Sequence, residues 1–244
     1  MRSHACLLAL GLFATSALHA DGSLAHARCA QARLGPDVWS QVIRIENEAR
    51  WNRYPRTLHA LVFELMGVLW FYTDTDGTQS FSLHHGRLAE EKADFGPLLA
   101  DIEPGFTRWR LVPGAAGNAA GPLPNGCFID SVAAWRARRA RGEETMNPQL
   151  LAYYANDFTG HVVLTYATRG HVEVIDPERP DVPLKFSAAL AGDAKELVHA
   201  LCPVPVSHVR LVPLTEPALF ATTDAAPGEG TDALPRPRSI VTIR

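Results

Sequence analysis

Asn-Gly-Cys-Phe-Ile-Asp-Ser-Val-Ala-Ala-Trp occupies positions 125 to 135, and Gly-His-Val-Val-Leu-Thr-Tyr-Ala-Thr-Arg-Gly-His-Val-Glu-Val-Ile-Asp-Pro occupies positions 160 to 177. In the first run Ile129, Val132, Ala133 and Trp135 recur at helical spacing against Asp130, Arg136, Arg138 and Arg139, and Gly142 is placed to end a helix over 129–141. The second run predicts strands over 161–166 and 172–175, joined by a turn at Thr168, Arg169 and Gly170. Cys127 therefore stands at a helix start, where roughly half a positive charge favours a thiolate. His161 and Asp176 stand near the outer ends of adjacent antiparallel strands, which predicts that they are near neighbours across the ladder. A thiol, an imidazole and a third group that fixes the ring tautomer are the parts of covalent acyl chemistry, so Cys127, His161 and Asp176 form a candidate triad.

Immediately before the cysteine lies the stretch 113–125, with Gly114, Gly117, Gly121, Pro122 and Pro124. A loop of this composition is flexible and borders the thiol, as the wall or lid of a cleft would. Further upstream, 38–45, 58–65, 67–73 and 78–83 read as successive strands with no helix between them, turning at Met66-Gly67 and at Asp74-Thr75-Asp76-Gly77. In the first of these Val38, Ser40, Val42 and Arg44 face one way and Trp39, Gln41, Ile43 and Ile45 the other. Such a meander needs a helix or a second sheet to cover its apolar face. Leu88, Phe95, Leu98, Leu99 and Ile102 then recur at helical spacing, with Asp94 as a cap and Pro97 in a first turn. A short strand follows over 107–112. Beyond the helix that Cys127 begins, 150–155 reads as a strand, 188–201 as a helix and 207–212 as a last strand.

The chain has 244 residues, 47% hydrophobic and 20% charged, which is ordinary globular composition. With a formal net charge of -3 and no Lys/Arg stripe, nothing points to nucleic acid. The basic cluster Arg136, Arg138, Arg139 and Arg141 suits the solvated C-terminal end of a helix. Arg2 and His4 precede an apolar run from Ala5 to Leu18, with small residues at Ala20 and a second processing point at Ala27, the pattern of a secretory signal peptide over residues 1–20. No other segment approaches the ~18 apolar residues of a membrane span. The expectation is an exported, periplasmic or extracellular protein with no membrane span. Three modules follow: a β-meander and helix over 29–112, a Cys/His/Asp core over 113–214, and a Pro-, Gly-, Ala- and Thr-rich flexible tail over 215–244. Without the leader's Cys6 the cysteines are Cys29, Cys127 and Cys202, an odd number that leaves at least one thiol outside any intramolecular disulfide. A Cys29–Cys202 bond would leave Cys127 free; two other pairings, or a reduced chain, stay open.

The order and spacing of these motifs resemble the transglutaminase-like branch of the papain-like cysteine hydrolases. In that family a Gly-x-Cys opens the central helix, a His-bearing strand follows, and an Asp-Pro ends the next strand. The resemblance covers about a fifth of the chain. It implies an α+β, papain-like core in which a Cys-bearing helix packs on an antiparallel sheet. It also implies Cys127 as nucleophile in Asn-Gly-Cys-Phe, His161 as base in His-Val-Val-Leu and Asp176 as orienter in Val-Ile-Asp-Pro. The substrate would then be a peptide or protein amide, with no cofactor. One feature departs from the papain pattern: residues 118–126 contain no glutamine to donate to an oxyanion. The Cys127 backbone N–H, with Asn125 or a neighbouring amide, is the expected substitute.

Each residue also has an ordinary reading. A cysteine on a helix is commonly a small buried hydrophobe, His161 an ordinary strand histidine, and Asp176 before Pro177 a turn starter. His171 is a second candidate base at the far end of the hairpin. His59, His84 and His85 lack further ligands at zinc-like spacing, and Asp74 and Asp76 lack the closing glutamate of a calcium loop, so no metal is expected. The alternatives to a cysteine hydrolase or acyltransferase are a non-catalytic binding or structural domain of the same fold, and a cell-wall amidase of the NlpC/P60 type.

Overall fold

The computed structural model describes residues 22–49, 54–80, 88–143, 146–155, 160–180, 182–202, 204–214 and 242–243. The protein is α+β, with two antiparallel sheets. Sheet A contains β1 (Ser40–Asn47), β2 (Thr57–Leu65), β3 (Val68–Thr73), β4 (Gly77–Ser80), β5 (Phe106–Leu111) and β11 (Thr242–Ile243), in the order β11-β4-β3-β2-β1-β5. Sheet B contains β6 (Met146–Ala155), β7 (Gly160–Ala167), β8 (His171–Ile175), β9 (Leu184–Ser187) and β10 (Val206–Pro213), in the order β10-β6-β7-β8-β9.

Period-two alternation decides what each face buries. On sheet A, Val42, Leu61, Phe63, Leu65, Trp70 and Tyr72 face a core that they share with α1 (22–34) and α4 (Cys127–Ala140). Ile43, Ile45, Leu58, Val62 and Phe71 face the other way, onto Phe95, Leu98 and Leu99 of α3 (Gly96–Ile102) and its lead-in. The alternation expected for 38–45 is the one observed. On sheet B, Leu150, Ala152, Val162, Leu164, Tyr166 and Ile175 join the shared core, while Leu151, Tyr153, Val163, Val172 and Val174 pack on Leu197 and Val198 of α5 (Ala194–Leu201). Helices α1 and α4 therefore lie between the two sheets. Phe128 connects them: fully buried, it stacks 4.6 Å from Trp70 and 6.3 Å from Phe63 of sheet A, one residue after the cysteine.

Several elements differ from the sequence reading. The helix expected over 188–201 is broken into a single 3₁₀ turn, Ala188–Leu190, and α5, because Gly192 takes φ 92° and Asp193 caps α5 with its carboxylate on the amides of Lys195 and Glu196. The helical pattern around 86–102 is likewise two helices, α2 (Leu88–Ala93) and α3, with Asp94 Oδ1 accepting from the Gly96 amide between them. Helix α1 is additional to the predicted elements. It buries Ala27, Ala30 and Leu34 on one stripe, so processing at Ala27 would cut it whereas processing at Ala20 would spare it. Strand β9 is mostly exposed and is likewise additional to the predicted elements. The signal peptide expected over 1–20, the pair His84-His85 and most of the expected tail (215–241) lie outside the described residues; Thr242 and Ile243 of that tail pair with the edge of β4. Cys29, Cys127 and Cys202 are all thiols, so no Cys29–Cys202 bond forms, and the buried Cys29 donates to the Gly121 carbonyl at 3.3 Å. Among the described residues, no helix is long and apolar enough to cross a membrane, and no group of three or more His, Cys, Asp or Glu could hold a metal ion.

Candidate active site

The site forms where β8 parts from β7. Their ladder runs from Ala167↔Val172 to Leu164↔Ile175 and stops, while β6 continues to pair with β7 as far as Gly160. A strand that loses a neighbour leaves backbone groups that need partners. Helix α4 supplies them at Val162: Ser131 Oγ, fully buried, donates to the Val162 carbonyl at 3.1 Å, and the Val162 amide hydrogen bonds to the Cys127 sulfur. The first turn of α4 is thereby pinned to β7 one residue from His161.

His161 and Asp176 come together at this same end. The imidazole Nε2 lies 3.2 Å from Asp176 Oδ1, with side-chain exposures of 19% and 29%. Asp176 Oδ1 also accepts from the Glu178 amide at 2.9 Å, which fixes the carboxylate after Pro177. Tyr153, opposite His161 in the ladder, meets the imidazole edge-on with ring centres 5.8 Å apart. Burial, reinforced by the charges of Cys202, Asp176 and Cys127, pushes the Tyr153 hydroxyl up to about 12, so it is a neutral donor at physiological pH. Strand 150–155 was expected, but nothing in its sequence singled out Tyr153; only the register places it against the histidine. The side chains of His161 and Tyr153 belong to the α5 face of sheet B, whereas Cys127 comes from the α4 side.

The electrostatics of Cys127 run against the simple helix-dipole expectation. The backbone N–H groups of Val162, of Phe128 and of Cys127 itself lie toward the sulfur and favour the thiolate. Burial outweighs them, and the thiol is pushed up to about 11. It is a neutral thiol near pH 7. Gly126, at the N-cap, supplies no side-chain cap, so the first-turn amides of α4 turn to the sulfur instead. The glycine is required by space: a Cβ there would lie 2.5 Å from the Leu123 side chain and 2.8 Å from its carbonyl.

Asn125 does not face the site. In the left-handed region at φ 53°, it directs its amide nitrogen to the carbonyls of Asp74 (2.7 Å) and Thr75 (3.2 Å) in the β3–β4 turn. Its side-chain donor is thus engaged by protein and is not offered to an oxyanion, while the amides of Cys127 and Phe128 remain at the helix start. Tyr72 braces the same loop by donating to the Pro124 carbonyl at 2.7 Å. The Asp74–Asp76 turn that the sequence distinguished from a calcium loop thus works as a strut beneath the cysteine. His59 bonds to Ser23 Oγ at 3.0 Å and takes no part in the site. His171 lies at the other end of the hairpin, 3.1 Å from Glu173.

Compared with known proteins, the chain matches no protein-family model, no curated protein and no solved structure.

Proposed function

We propose that this protein is an exported cysteine hydrolase or acyltransferase, with a papain-like core, that acts on peptide or protein amides through Cys127, His161 and Asp176. The observation that carries the reading is the 3.2 Å His161–Asp176 pair at the strand end where the Cys127 sulfur meets Val162. In the proposed reaction Cys127 transfers its proton to His161 as the sulfur attacks the substrate carbonyl. Asp176 holds the imidazole and stabilises the imidazolium. As the sulfur bonds to the carbonyl carbon, the amides of Cys127 and Phe128 exchange it for the oxyanion, the protonated His161 hands its proton to the departing amine, and a thioester remains on Cys127. Water, or an acceptor amine, then attacks the thioester, gives a proton to His161 and releases the acyl group, restoring the thiol.

The elevated thiol favours one second reading, a non-catalytic binding or structural domain in which Cys127 is a capping thiol for Val162. Acylation separates the two. The full chain is exposed to p-nitrophenyl acetate and to a mixture of unstructured peptides, and adducts at Cys127 are read by mass spectrometry. A thioester at Cys127 that disappears in Cys127→Ser and is strongly reduced in His161→Ala is the expected result. Acylation that is unaffected by His161→Ala, or absent at Cys127, overturns the enzymatic reading.

A further inference from the structure

We propose that Arg33 is a positioning residue for the Cys127 thiol: its guanidinium neutralises the Asp130 carboxylate in the first turn of α4 and ties it to the loop that leads to the cysteine, so that the helix start is left to favour the thiolate. The inference rests on the reading of Cys127, His161 and Asp176 as a thiol site and adds a residue that tunes its nucleophile. Asp130 is the acidic residue of the first turn of α4, three positions after Cys127. A carboxylate there suits the positive end of the helix and stabilises the helix itself. The same carboxylate opposes a second negative charge on the sulfur, one turn back along α4. An acid that helps the helix form thus hinders the ionisation that the reaction needs.

Arg33, on α1, resolves the conflict. Its Nη1 pairs with Asp130 Oδ1 across 97 residues of chain, with side-chain exposures of 20% and 27%. The guanidinium is fixed in place by the loop before the cysteine: Nε donates to the Ala119 carbonyl at 2.8 Å and Nη2 to the Gly121 carbonyl at 2.5 Å. Cys29, one turn earlier on α1, donates to that same Gly121 carbonyl. A planar fork held at three acceptors is an oriented charge, which a lysine ammonium would not be. Partial burial also limits the screening that a surface bridge would suffer. The other titratable groups at this end are engaged elsewhere or neutral. On α1, His26 pairs with Asp74 at 2.9 Å. On sheet A, burial, with the charge of Asp74, holds the Tyr72 hydroxyl well above its ordinary range. On sheet B, His161 is turned to Asp176, and Tyr153 is neutral. Arg33 is thus the cation that answers Asp130.

The test is a double-mutant cycle read by iodoacetamide alkylation of Cys127 in the full chain, followed at that residue by mass spectrometry as a function of pH. Below the midpoint of the profile the rate follows the thiolate fraction. Arg33→Gln leaves Asp130 unanswered and should slow alkylation at pH 8 about three- to tenfold, moving the midpoint up. Asp130→Asn leaves the cation unanswered and should speed alkylation by a similar factor, moving the midpoint down. The double variant should return to within about twofold of the unaltered chain, and Arg33→Lys, which keeps the charge, should recover most of the loss seen with Arg33→Gln. A merely structural bridge would give changes of the same sign from either end, since both single variants break it. Changes of the same sign, no change in Arg33→Gln, a double variant that stays slow, or Lys as slow as Gln each overturn the proposal. If Arg33→Gln does not fold, Asp130→Asn alone decides, because alkylation must then rise. His161→Ala keeps the two readings distinguishable. If acylation of Cys127 is indifferent to His161 while the two single variants still shift alkylation in opposite directions, the triad reading falls and the role of Arg33 stands.

Discussion

The β7–β8 hairpin carries two histidine–carboxylate pairs of nearly equal length, His161–Asp176 at 3.2 Å and His171–Glu173 at 3.1 Å, at its opposite ends. Their surroundings differ completely. Glu173 also accepts from the Tyr166 hydroxyl and lies 3.6 Å from Lys185, and Arg138 donates to the same hydroxyl at 2.6 Å while pairing with Glu143. Burial pushes the Glu173 carboxyl up, but the hydrogen bonds from Tyr166 and His171 and the charge of Lys185 outweigh it and hold the group below the ordinary carboxylate range. That end is a saturated charge network anchoring the C-terminal half of α4. At the other end the pair stands one residue from Val162, whose amide meets the Cys127 sulfur at the start of α4. An imidazole–carboxylate distance therefore does not distinguish the two ends; the charge network around Glu173 does.

The comparison can be broken most sharply by removing the two histidines in turn. His161→Ala should lower acylation of Cys127 by p-nitrophenyl acetate about 10²–10⁴-fold, the usual contribution of a positioned base, whereas His171→Ala should leave the rate within about twofold. Equal effects would erase the distinction between the two ends.

The next effect is a pH dependence of stability that belongs to the cysteine end. With its thiol raised from 9.0 to about 11 in the fold, Cys127 contributes stability that is fully present below pH 9 and lost as pH rises through about 11. Denaturant melts should show the unaltered chain losing roughly 2–3 kcal/mol relative to Cys127→Ala across that window, on the scale of 1.36 kcal/mol per pKa unit. Parallel curves would contradict a desolvated, protonated thiol.

The opposite sign applies at the far end. Glu173, held low, contributes stability present above the unfolded carboxylate range and lost as pH falls through its folded value. Glu173→Gln should cost about 1–2 kcal/mol at pH 7 in urea unfolding, with the gap closing in acid, and should leave Cys127 reactivity unchanged. Asp176→Asn should do the reverse, lowering reactivity more than stability. The smallest effect is expected at the strut: Asn125→Ala removes two hydrogen bonds to the β3–β4 turn and should cost about 1 kcal/mol in the same assay.

Much of this was legible in residues whose local pattern and tertiary setting agree. The alternation of 38–45, the Met66-Gly67 turn, the Cys127 helix and the β7–β8 hairpin all follow from periodicity and turn chemistry, because each element buries the face that its pattern presents. Helix α1 had a usable signal in Leu24, Ala27, Ala30 and Leu34, but the adjoining leader-like run and the small residues of a processing site masked it. Strand β9 is mostly exposed, with no apolar alternation to read. At 188–201 the apolar spacing continued through Gly192 and Asp193, and there the local preference for φ > 0 and for a cap overrode the periodicity.

The site divides in the same way. The residues and their order along the chain, a cysteine opening a helix and a histidine and aspartate on paired strands, are properties of the sequence alone, because helix starts and hairpins are set by near neighbours. Local chemistry cannot say how deeply a thiol is buried, where Asn125 points, or which strand caps an edge. Those depend on contacts far apart in the chain: Val162 against Cys127, the Asp74–Thr75 carbonyls against Asn125, and Thr242–Ile243 against β4. The dipole of a helix is written in its own residues, but the desolvation that overrides it at Cys127 comes from the two sheets that close around α4.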